Sequence, residues 1–382
     1  MYMNILTLPV SLGEALDKLT ILDIKLNKIK DDRSKDVEKE YNILQEKLCK
    51  YQKKYEFYYD ILKQINLDIW EMQDKFRDNE GDKTKLCLQI IKDNDRRFRV
   101  KKKINNLTNS ALKEQKGYKP QKAFVLTHLG LGDNITAIGM VRYLSTCYDE
   151  IIVVSFTKNK ENLELFYQDD KSITIMGVGE ENSISPRRGF PRKKFDKITE
   201  GYDLYITGCH NWTKPENRTI SIPFRWYDHA NIDPKYFWSY FYIPDTDLSK
   251  KLFDKIKTIK YIFAHSETSG GRCYNSNYIS NKFKELNKDE ILFLNPCENF
   301  YKEEHPFYKL ANEFVGHRLI HYKDTIINSY YNFFTDSSFC CMALNLEIKS
   351  DNNFICSTRN RYTLYDEKYI FKHKKKKIFK IF

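Results

Sequence analysis

The sequence lacks the features of a membrane-spanning or secreted protein. No apolar run approaches the ~18–20 residues that cross a bilayer as a helix. The first residues, MYMNILTLPVSLGEAL, contain neither a basic leader nor a small-residue cleavage site, which argues against a secretion signal. We therefore expect the protein in the cytoplasm, either free or at the surface of a membrane.

Cysteine and histidine are too scattered to form a recognisable metal site. The 9 cysteines include no CxxC pair, and their spacing to the 8 histidines matches no zinc pattern. Cys340 and Cys341 are adjacent in an apolar helical stretch, where such side chains pack in a core. We expect free thiols in a reducing compartment, and neither a bound metal nor another cofactor.

Acidic residues are outnumbered, and the net charge is +12. An excess of this size suits a phosphate-bearing substrate, an acidic membrane surface or nucleic acid. The C-terminal segment KHKKKKIFKIF (372–382) is either a solvated tail or a contact to anionic lipid. Nucleic acid is the least favoured partner, because no nucleic-acid motif occurs and acidic residues are mixed among the basic ones.

The first 116 residues have the pattern of a helical domain. Ser11 and Glu14 have capping-box spacing at the start of a helix. A second pattern then repeats in alternating steps of four and three over about five heptads. Its positions are Val37, Tyr41, Leu44, Leu48, Tyr51, Tyr55, Tyr58, Leu62, Ile65, Ile69, Met72 and Phe76.

Gly81 in DNEGDK ends this repeat, and Leu86, Ile90, Ile104, Leu107 and Ala111 indicate a third helix that is less regular in its middle. We expect a shorter helix followed by a long antiparallel helical hairpin. The same heptad pattern also fits a coiled-coil homodimer, so both arrangements stay open.

After a linker at 113–122, strand-like runs alternate with helical ones, which is typical of a parallel α/β sheet. We expect two small Rossmann-like halves, 121–245 and 246–382, with a cleft between them. Strands are predicted at 123–129, 150–156, 172–178, 202–208, 261–267, 290–296, 318–322 and 333–336. Helices are predicted at 134–146, 158–168, 247–258 and from about 360.

A glycine-rich turn, HLGLGDN (128–134), follows the first predicted strand, where open parallel sheets bind their ligands. Ile135 stands where a dinucleotide fingerprint needs its third glycine, and no Gly-Lys-Ser/Thr follows for a P-loop. Asp133 is therefore either a helix N-cap or a functional carboxylate. Gly130 and Gly132 permit a close approach of the backbone that side chains would prevent.

The stretch HLGLGDNITAIGMVRYL resembles the first loop and helix of the heptosyltransferase-like glycosyltransferases, a GT-B family. NFFTDSSFCCMALNL (332–346) resembles the family's donor-side strand, Asp and helix. The resemblance covers roughly residues 121–382 and implies a metal-independent, inverting enzyme that takes a nucleotide sugar and a glycan or lipid-linked acceptor. PVSLGEALDKLTILDIKLNKI resembles an uncharacterised helical domain that occurs with glycan-synthesis genes.

With this resemblance in hand, we predict that Asp133 is the general base and that Gly130, Gly132 and Asn134 shape its loop. The family's donor-side lysine is not evident in HSETSGGR, and its Asp-Ser-Gly triplet reads Asp336-Ser337-Ser338. We expect the donor and its phosphates to contact two loops: Thr268, Ser269, Gly270, Gly271 and Arg272; and Asp336, Ser337 and Ser338.

Further candidates have structural alternatives of equal or greater weight. His128 and His265 are either ligand contacts or core histidines, and Trp226 or Tyr227 either stacks on a sugar or covers a domain boundary. Asp245 and Asp247 spell the metal-binding D-x-D of another glycosyltransferase fold, but capping of the following helix is favoured. Arg187 and Arg188 lie in a basic loop that either steers an anionic acceptor or is merely solvated.

A second function stays open beside glycosyl transfer. The α/β part could be a non-catalytic module that binds sugar or nucleotide, with the helical domain recruiting partners. The absent lysine and the altered Asp-Ser-Ser triplet favour this alternative, whereas Asp133 and the two glycine turns favour catalysis.

Overall fold

The computed structural model describes residues 7–179, 195, 197–208, 222–268, 274–356 and 379–381, with 222–224 and 379–381 described by their backbone. The chain divides into two compact units. The first comprises Met1–Lys122, Tyr143–Ile151 and Asp169–Ser172, and the second comprises Ala123–Arg142, Ile152–Gln168 and Ile173–Phe382. None of the helices in the described ranges has the length and apolar character needed to cross a bilayer.

The first unit is built on four helices, which confirms the predicted helical segment. They are α1 (Leu12–Lys28), α2 (Ser34–Lys54), α3 (Glu56–Arg77) and α4 (Lys83–Leu107). Ser11 is the N-cap of α1, and its Oγ accepts a hydrogen bond from the Glu14 N–H at 3.3 Å. Gly81, with φ of 77°, lies in the turn between α3 and α4. The hairpin is formed by α3 and α4, which pack against each other, whereas the continuous first arm that the heptad pattern predicted is divided into α2 and α3.

The heptad pattern is buried only in its central part. Leu62 and Ile65 are fully buried, whereas Phe76 at the end of the pattern is 37% exposed. The helix is also interrupted at Tyr55, whose ψ of 31° separates α2 from α3. The reason for the partial burial is that α1 packs along both α2 and α3 and supplies the apolar partner there.

Helix α4 buries charges, which explains its irregular apolar pattern. Lys103 Nζ lies 2.8 Å from Asp170 Oδ1 and 2.7 Å from Ser172 Oγ. Arg99 pairs with Asp149 at 3.1 Å. Burial of a charge is tolerated only when it is paired and hydrogen-bonded, and these contacts supply that pairing.

Two parallel sheets form from Lys122 onward, as the alternating pattern predicted. The strands are β1 (Lys122–Leu126), β2 (Glu150–Phe156), β3 (Ile173–Val178), β4 (Asp203–Ile206), β5 (Tyr261–His265), β6 (Leu292–Leu294), β7 (Tyr331–Thr335), β8 (Asn353–Cys356) and β9 (Phe379–Ile381). One sheet has the order β3-β2-β1-β4 and the other β6-β5-β7-β8-β9. Strand β1 pairs in parallel with β4, and every pair of the second sheet is parallel. Both orders are of the doubly wound, Rossmann-like kind.

The remaining helices flank these strands. They are α5 (Leu131–Thr136), α6 (Ile138–Cys147), α7 (Lys160–Phe166), α8 (Ile222–His229), α9 (Tyr236–Ser239), α10 (Asp247–Asp254), α11 (Ser276–Lys282), α12 (Tyr308–Asn312), α13 (Lys323–Asn328) and α14 (Ser338–Ala343).

The predicted helix at 134–146 is interrupted by a tyrosine. The buried hydroxyl of Tyr227 accepts the Met140 N–H at 2.9 Å and donates to the Thr136 carbonyl at 3.2 Å. These are the two groups that a continuous helix would join, so the hydroxyl replaces one rung of the ladder. Gly139 makes the room, since a Cβ there would lie 2.9 Å from the same hydroxyl.

Two further predictions are wrong. Residues 318–322 are not a strand, because Leu319–Tyr322 is a 3-10 helix with Leu319, Ile320 and Tyr322 buried. A short apolar run occurs both in buried strands and in buried helices, and five residues are too few for the period to distinguish the two. The end of the predicted helical stretch from about 360 is strand β9 at 379–381, so Lys380 belongs to a sheet edge instead of a free tail. Residues 357–378 lie outside the described residues.

Candidate functional site

The carboxyl ends of the two sheets share one cleft of about 610 Å³. Loops after β1 (130–133), β5 (266–268) and β7 (336–338) all contribute lining residues. In each sheet these strands lie where the strand order reverses direction, which is where doubly wound sheets bind ligands. The volume falls within the usual range for a small-molecule site, roughly 300–1,000 Å³.

The turn after β1 is held in an uncommon conformation. Leu129 is buried with φ of 65°, a left-handed backbone that side chains seldom adopt. Its carbonyl accepts hydrogen bonds from the Phe156 N–H at 3.2 Å, Ser155 Oγ at 3.3 Å and Asn159 Nδ2 at 3.3 Å. Three donors, two at the end of β2 and one in the turn that follows it, therefore fix the turn before α5 begins. Strain kept in this way is common at functional sites.

Asp133 lines this cleft and is half-buried. The N-cap of α5 is Gly130, so the alternative that Asp133 is the N-cap is wrong; the carboxylate belongs to the first turn. A Cβ on residue 130 would lie 2.5 Å from Asp133 Oδ2. A side chain at residue 130 would therefore have to move the Asp133 carboxylate, which folds back over the start of its own helix.

Gly132 brings the two sheets' loops together. A Cβ there would lie 3.3 Å from Cys341 Sγ and 3.6 Å from both N and Cα of Ser338. A Cβ would press on Cys341 Sγ, and a branched side chain would have to displace the first turn of α14. The two segments that carry the family resemblance thus meet backbone to backbone.

Asn134 faces away from the cleft. It is 1% exposed, and its Nδ2 donates to the Gly130 carbonyl at 3.0 Å and to Ser155 Oγ at 3.4 Å. Its contacts therefore hold the shape of the turn.

His265, the last residue of β5, lines the cleft although only 6% of its surface is exposed. Its Nδ1 lies 2.9 Å from Ser337 Oγ, and its ring stacks on Phe339 with centroids 4.4 Å apart. Burial lowers the pKa of His265 to about 3, so the imidazole is neutral at physiological pH. The structure therefore joins two residues that the sequence placed 72 positions apart.

The remaining donor-side candidates that are described also line the cleft. Asp336 is 7% exposed, Ser338 begins α14, and Thr268 follows β5. Thr335 Oγ1 donates to the Glu267 carbonyl at 2.8 Å and ties the loops after β5 and β7 together. Ser269, Gly270, Gly271 and Arg272 lie outside the described residues, as do Arg187 and Arg188.

His128 and Trp226 form an aromatic wall of the cleft. Their ring centroids are 5.2 Å apart, and Trp226 is only 2% exposed. The ring of His128 lies over Gly208, whose φ of 107° and missing side chain permit this contact. Tyr227 is fully buried with its hydroxyl bonded to α5 and α6, so it cannot stack on a sugar.

The end of β2 supplies lining residues that the sequence analysis missed: Phe156, Lys158 and Asn159. Lys158 is the cationic side chain among the described lining residues, apart from the histidines. Part of the signal was available, because SFTKNK directly follows a predicted parallel strand and such loops lie at one sheet edge. That this strand is the neighbour of β1 could not be predicted from the spacing of residues.

The expected capping of α10 by Asp245 or Asp247 is wrong. The N-cap is Thr246, whose Oγ1 accepts a hydrogen bond from the Ser249 N–H at 3.1 Å, and Asp247 lies in the first turn. Although burial would raise the pKa of Asp245, hydrogen bonds from Lys323 and Lys250 hold it below the usual value. In the described ranges, no group of three or more His, Cys, Asp and Glu side chains is placed to hold a metal ion.

The cleft suits a ligand rich in hydroxyl groups. Three carboxylates, from Asp133, Glu267 and Asp336, line it beside hydroxyls and the Lys158 ammonium. Carboxylates accept hydrogen bonds from hydroxyls, and an ammonium attracts a phosphate.

The similarity to a known family is confined to the helical segment and the start of β1. The model of a family of unknown function (DUF6165) matches residues 6–125. No curated protein and no solved structure shows a significant match to the chain.

Proposed function

We propose that residues 121–382 form a glycosyltransferase similar to the heptosyltransferase-like GT-B enzymes, with 121–245 as the acceptor half and 246–382 as the donor half. The observation that supports this most is the shared cleft. Asp133 lines it together with Asp336, Ser337 and Ser338, so the two segments that resemble the family face one ligand volume.

The reaction transfers a sugar from a nucleotide-sugar donor to a hydroxyl of a glycan or lipid-linked acceptor. The acceptor oxygen attacks the anomeric carbon, the bond to the nucleoside diphosphate breaks, and the configuration inverts. Asp133 accepts the proton of the attacking hydroxyl. An ordinary aspartate has a pKa near ~3.9 and is a weak base, so the proton moves late, when the hydroxyl has become acidic.

The departing diphosphate needs donors and positive charge. Thr268 and Ser338 provide hydroxyls and Lys158 provides an ammonium within the cleft. Asp336 accepts a hydrogen bond from a hydroxyl of the sugar or ribose. Arg272 would complete this set.

The helical domain and the basic C-terminal segment are the parts of the chain that we expect to bind partners. We propose that the helical hairpin either dimerises or recruits glycan-synthesis proteins, and that the basic residues near the C terminus contact an anionic membrane surface where a lipid-linked acceptor resides. A cytoplasmic location belongs to the same proposal, supported by the free thiols of the seven described cysteines, Cys49, Cys87, Cys147, Cys297, Cys340, Cys341 and Cys356.

A thermal-shift screen of the full chain against UDP-, GDP-, ADP- and CMP-sugars tests the binding step. One of these classes should raise the melting temperature in a concentration-dependent way, since a ligand of the folded state stabilises it by mass action. Nucleoside diphosphate release in the presence of a glycolipid extract then tests turnover. Binding without turnover would favour a non-catalytic sugar-binding scaffold, and no binding by any class would contradict both functions.

A further inference from the structure

The Ser337–His265 pair leaves one ring nitrogen facing the cleft. Within the described chain, the hydrogen bond to Nδ1 is the only one that either side chain makes. The Nε2 atom of His265 is not sealed away from solvent, and the residue lines the cleft. Nε2 is therefore accessible from the ligand volume.

The hydrogen bond also determines which nitrogen carries the proton. Among the described residues, Nδ1 of His265 is the acceptor that Ser337 Oγ contacts, and a hydroxyl that donates there leaves Nδ1 unprotonated. A neutral imidazole with an unprotonated Nδ1 carries its proton on Nε2. The stacked Phe339 ring fixes the plane of the imidazole and hence the direction of this N–H.

We infer that the Nε2–H of His265, oriented by Ser337, donates a hydrogen bond to an oxygen of the donor's diphosphate. This inference rests on the proposed function and adds to it a neutral, directional donor. A neutral N–H adds no charge to the cleft and needs no proton from solvent, so its contribution is one of geometry. Ser337 is a positioning residue here, and His265 contacts the ligand.

The tautomer is tested first, on the full chain without ligand. Heteronuclear NMR of ¹⁵N-imidazole-labelled protein at pH 7 should show a ring with an unprotonated Nδ1 and a protonated Nε2. The signals of this ring should be absent from the spectrum of His265→Asn. In Ser337→Ala the Nδ1 signal of this ring should shift, because its donor is lost. A protonated Nδ1, or a doubly protonated ring, in the wild-type protein would overturn the inference.

The contact is tested by calorimetric titration with UDP, GDP, ADP and CDP and with the matching nucleosides. His265→Asn should weaken diphosphate binding about ten- to a hundredfold, the effect of one hydrogen bond to a charged acceptor, and leave nucleoside binding unchanged. His265→Gln should recover part of the affinity, because its amide nitrogen reaches the position of Nε2. Melting temperatures of both variants check that the fold is kept.

The outcomes separate the two claims. Unchanged diphosphate affinity in His265→Asn would remove this role while leaving the proposed function in place. Failure of the wild-type protein to bind any of the four diphosphates would remove both.

Discussion

Gly132 and Ser338 are separated by 206 positions in the chain, yet a Cβ on residue 132 would lie 3.6 Å from the Ser338 backbone nitrogen. The first turn of α5 and the first turn of α14 are therefore in direct contact. This contact keeps Asp133 beside the loop after β7, and both line the cleft.

The contact predicts that side chains at residue 132 are harmful. Gly132→Val should lower the free energy of unfolding by about 1–3 kcal/mol, because the branched side chain must displace Ser338 or Cys341. Urea denaturation measures this loss. Gly117→Val is the matched control, since a Cβ at 117 meets no atom within 4 Å. Equal stability of the two variants would show that the α5–α14 contact is loose.

Asp133 carries the proposed chemistry, and its replacement should separate catalysis from folding. Asp133→Asn keeps the shape of the side chain that lies over Gly130 but removes the base, so sugar transfer should fall by about 10²–10⁴. Melting temperature and nucleotide affinity should stay close to wild type. Asp247→Asn, in the exposed first turn of α10, is the control and should transfer normally. Full activity of Asp133→Asn would exclude this residue as the base.

The buried ion pair of the first unit should show strong coupling. Lys103→Met leaves the Asp170 carboxylate buried without its cation and should destabilise the protein by roughly 3–5 kcal/mol. Asp170→Asn in the same background should recover much of this loss, because no uncompensated charge remains. A double-mutant cycle of denaturation midpoints measures the coupling. Additive effects of the two substitutions would contradict a direct pair.

His265 should contribute to acid sensitivity. Its pKa is about 3 in the folded protein and near ~6.5 when unfolded, so the unfolded state binds the extra proton between these values. The stability that burial of the neutral ring confers is complete above pH ~6.5 and falls as the pH is lowered, by at most about 1.4 kcal/mol per pH unit. His265→Asn should flatten the stability profile between pH 6.5 and 4 relative to wild type. Identical slopes would mean that the ring is charged in the folded state. The cleft carboxylates Glu267 and Asp336 are present in both proteins, so they do not account for a difference between the two slopes.

Much of the fold could be predicted from local patterns. Ser11 marked the first helix because a hydroxyl at that position satisfies a free N–H. The strands from 123 and 261 were found because both faces of a parallel strand are buried, which leaves an unbroken apolar run.

Other features depend on contacts that no local pattern contains. The break between α5 and α6 is made by Tyr227, which is 91 residues from Thr136. The weak apolar pattern of α4 arises from charges whose partners, such as Asp149 and Asp170, lie beyond the helical segment. The short runs at 319–322 and 353–356 carry too few residues to show a period.

The candidate site was predictable in part, because ligand-binding loops follow parallel strands at the switch point. The positions of Asp133, Asp336 and Ser337 in one cleft fit that rule. Two features depend on which strands are neighbours: the hydrogen bond between Ser337 and His265, and the position of Lys158 in the cleft. The spacing of residues along the chain does not predict strand order.

The most direct test is a crystal structure of the wild-type chain bound to the nucleotide sugar that raises its melting temperature in the thermal-shift screen. The diphosphate should lie against residues 265–268 and 336–338, with the anomeric carbon on the side of the cleft that carries the Asp133 carboxylate. A nucleotide bound elsewhere on the molecule, or bound here with its sugar turned away from Asp133, would contradict the proposal that this cleft transfers sugar.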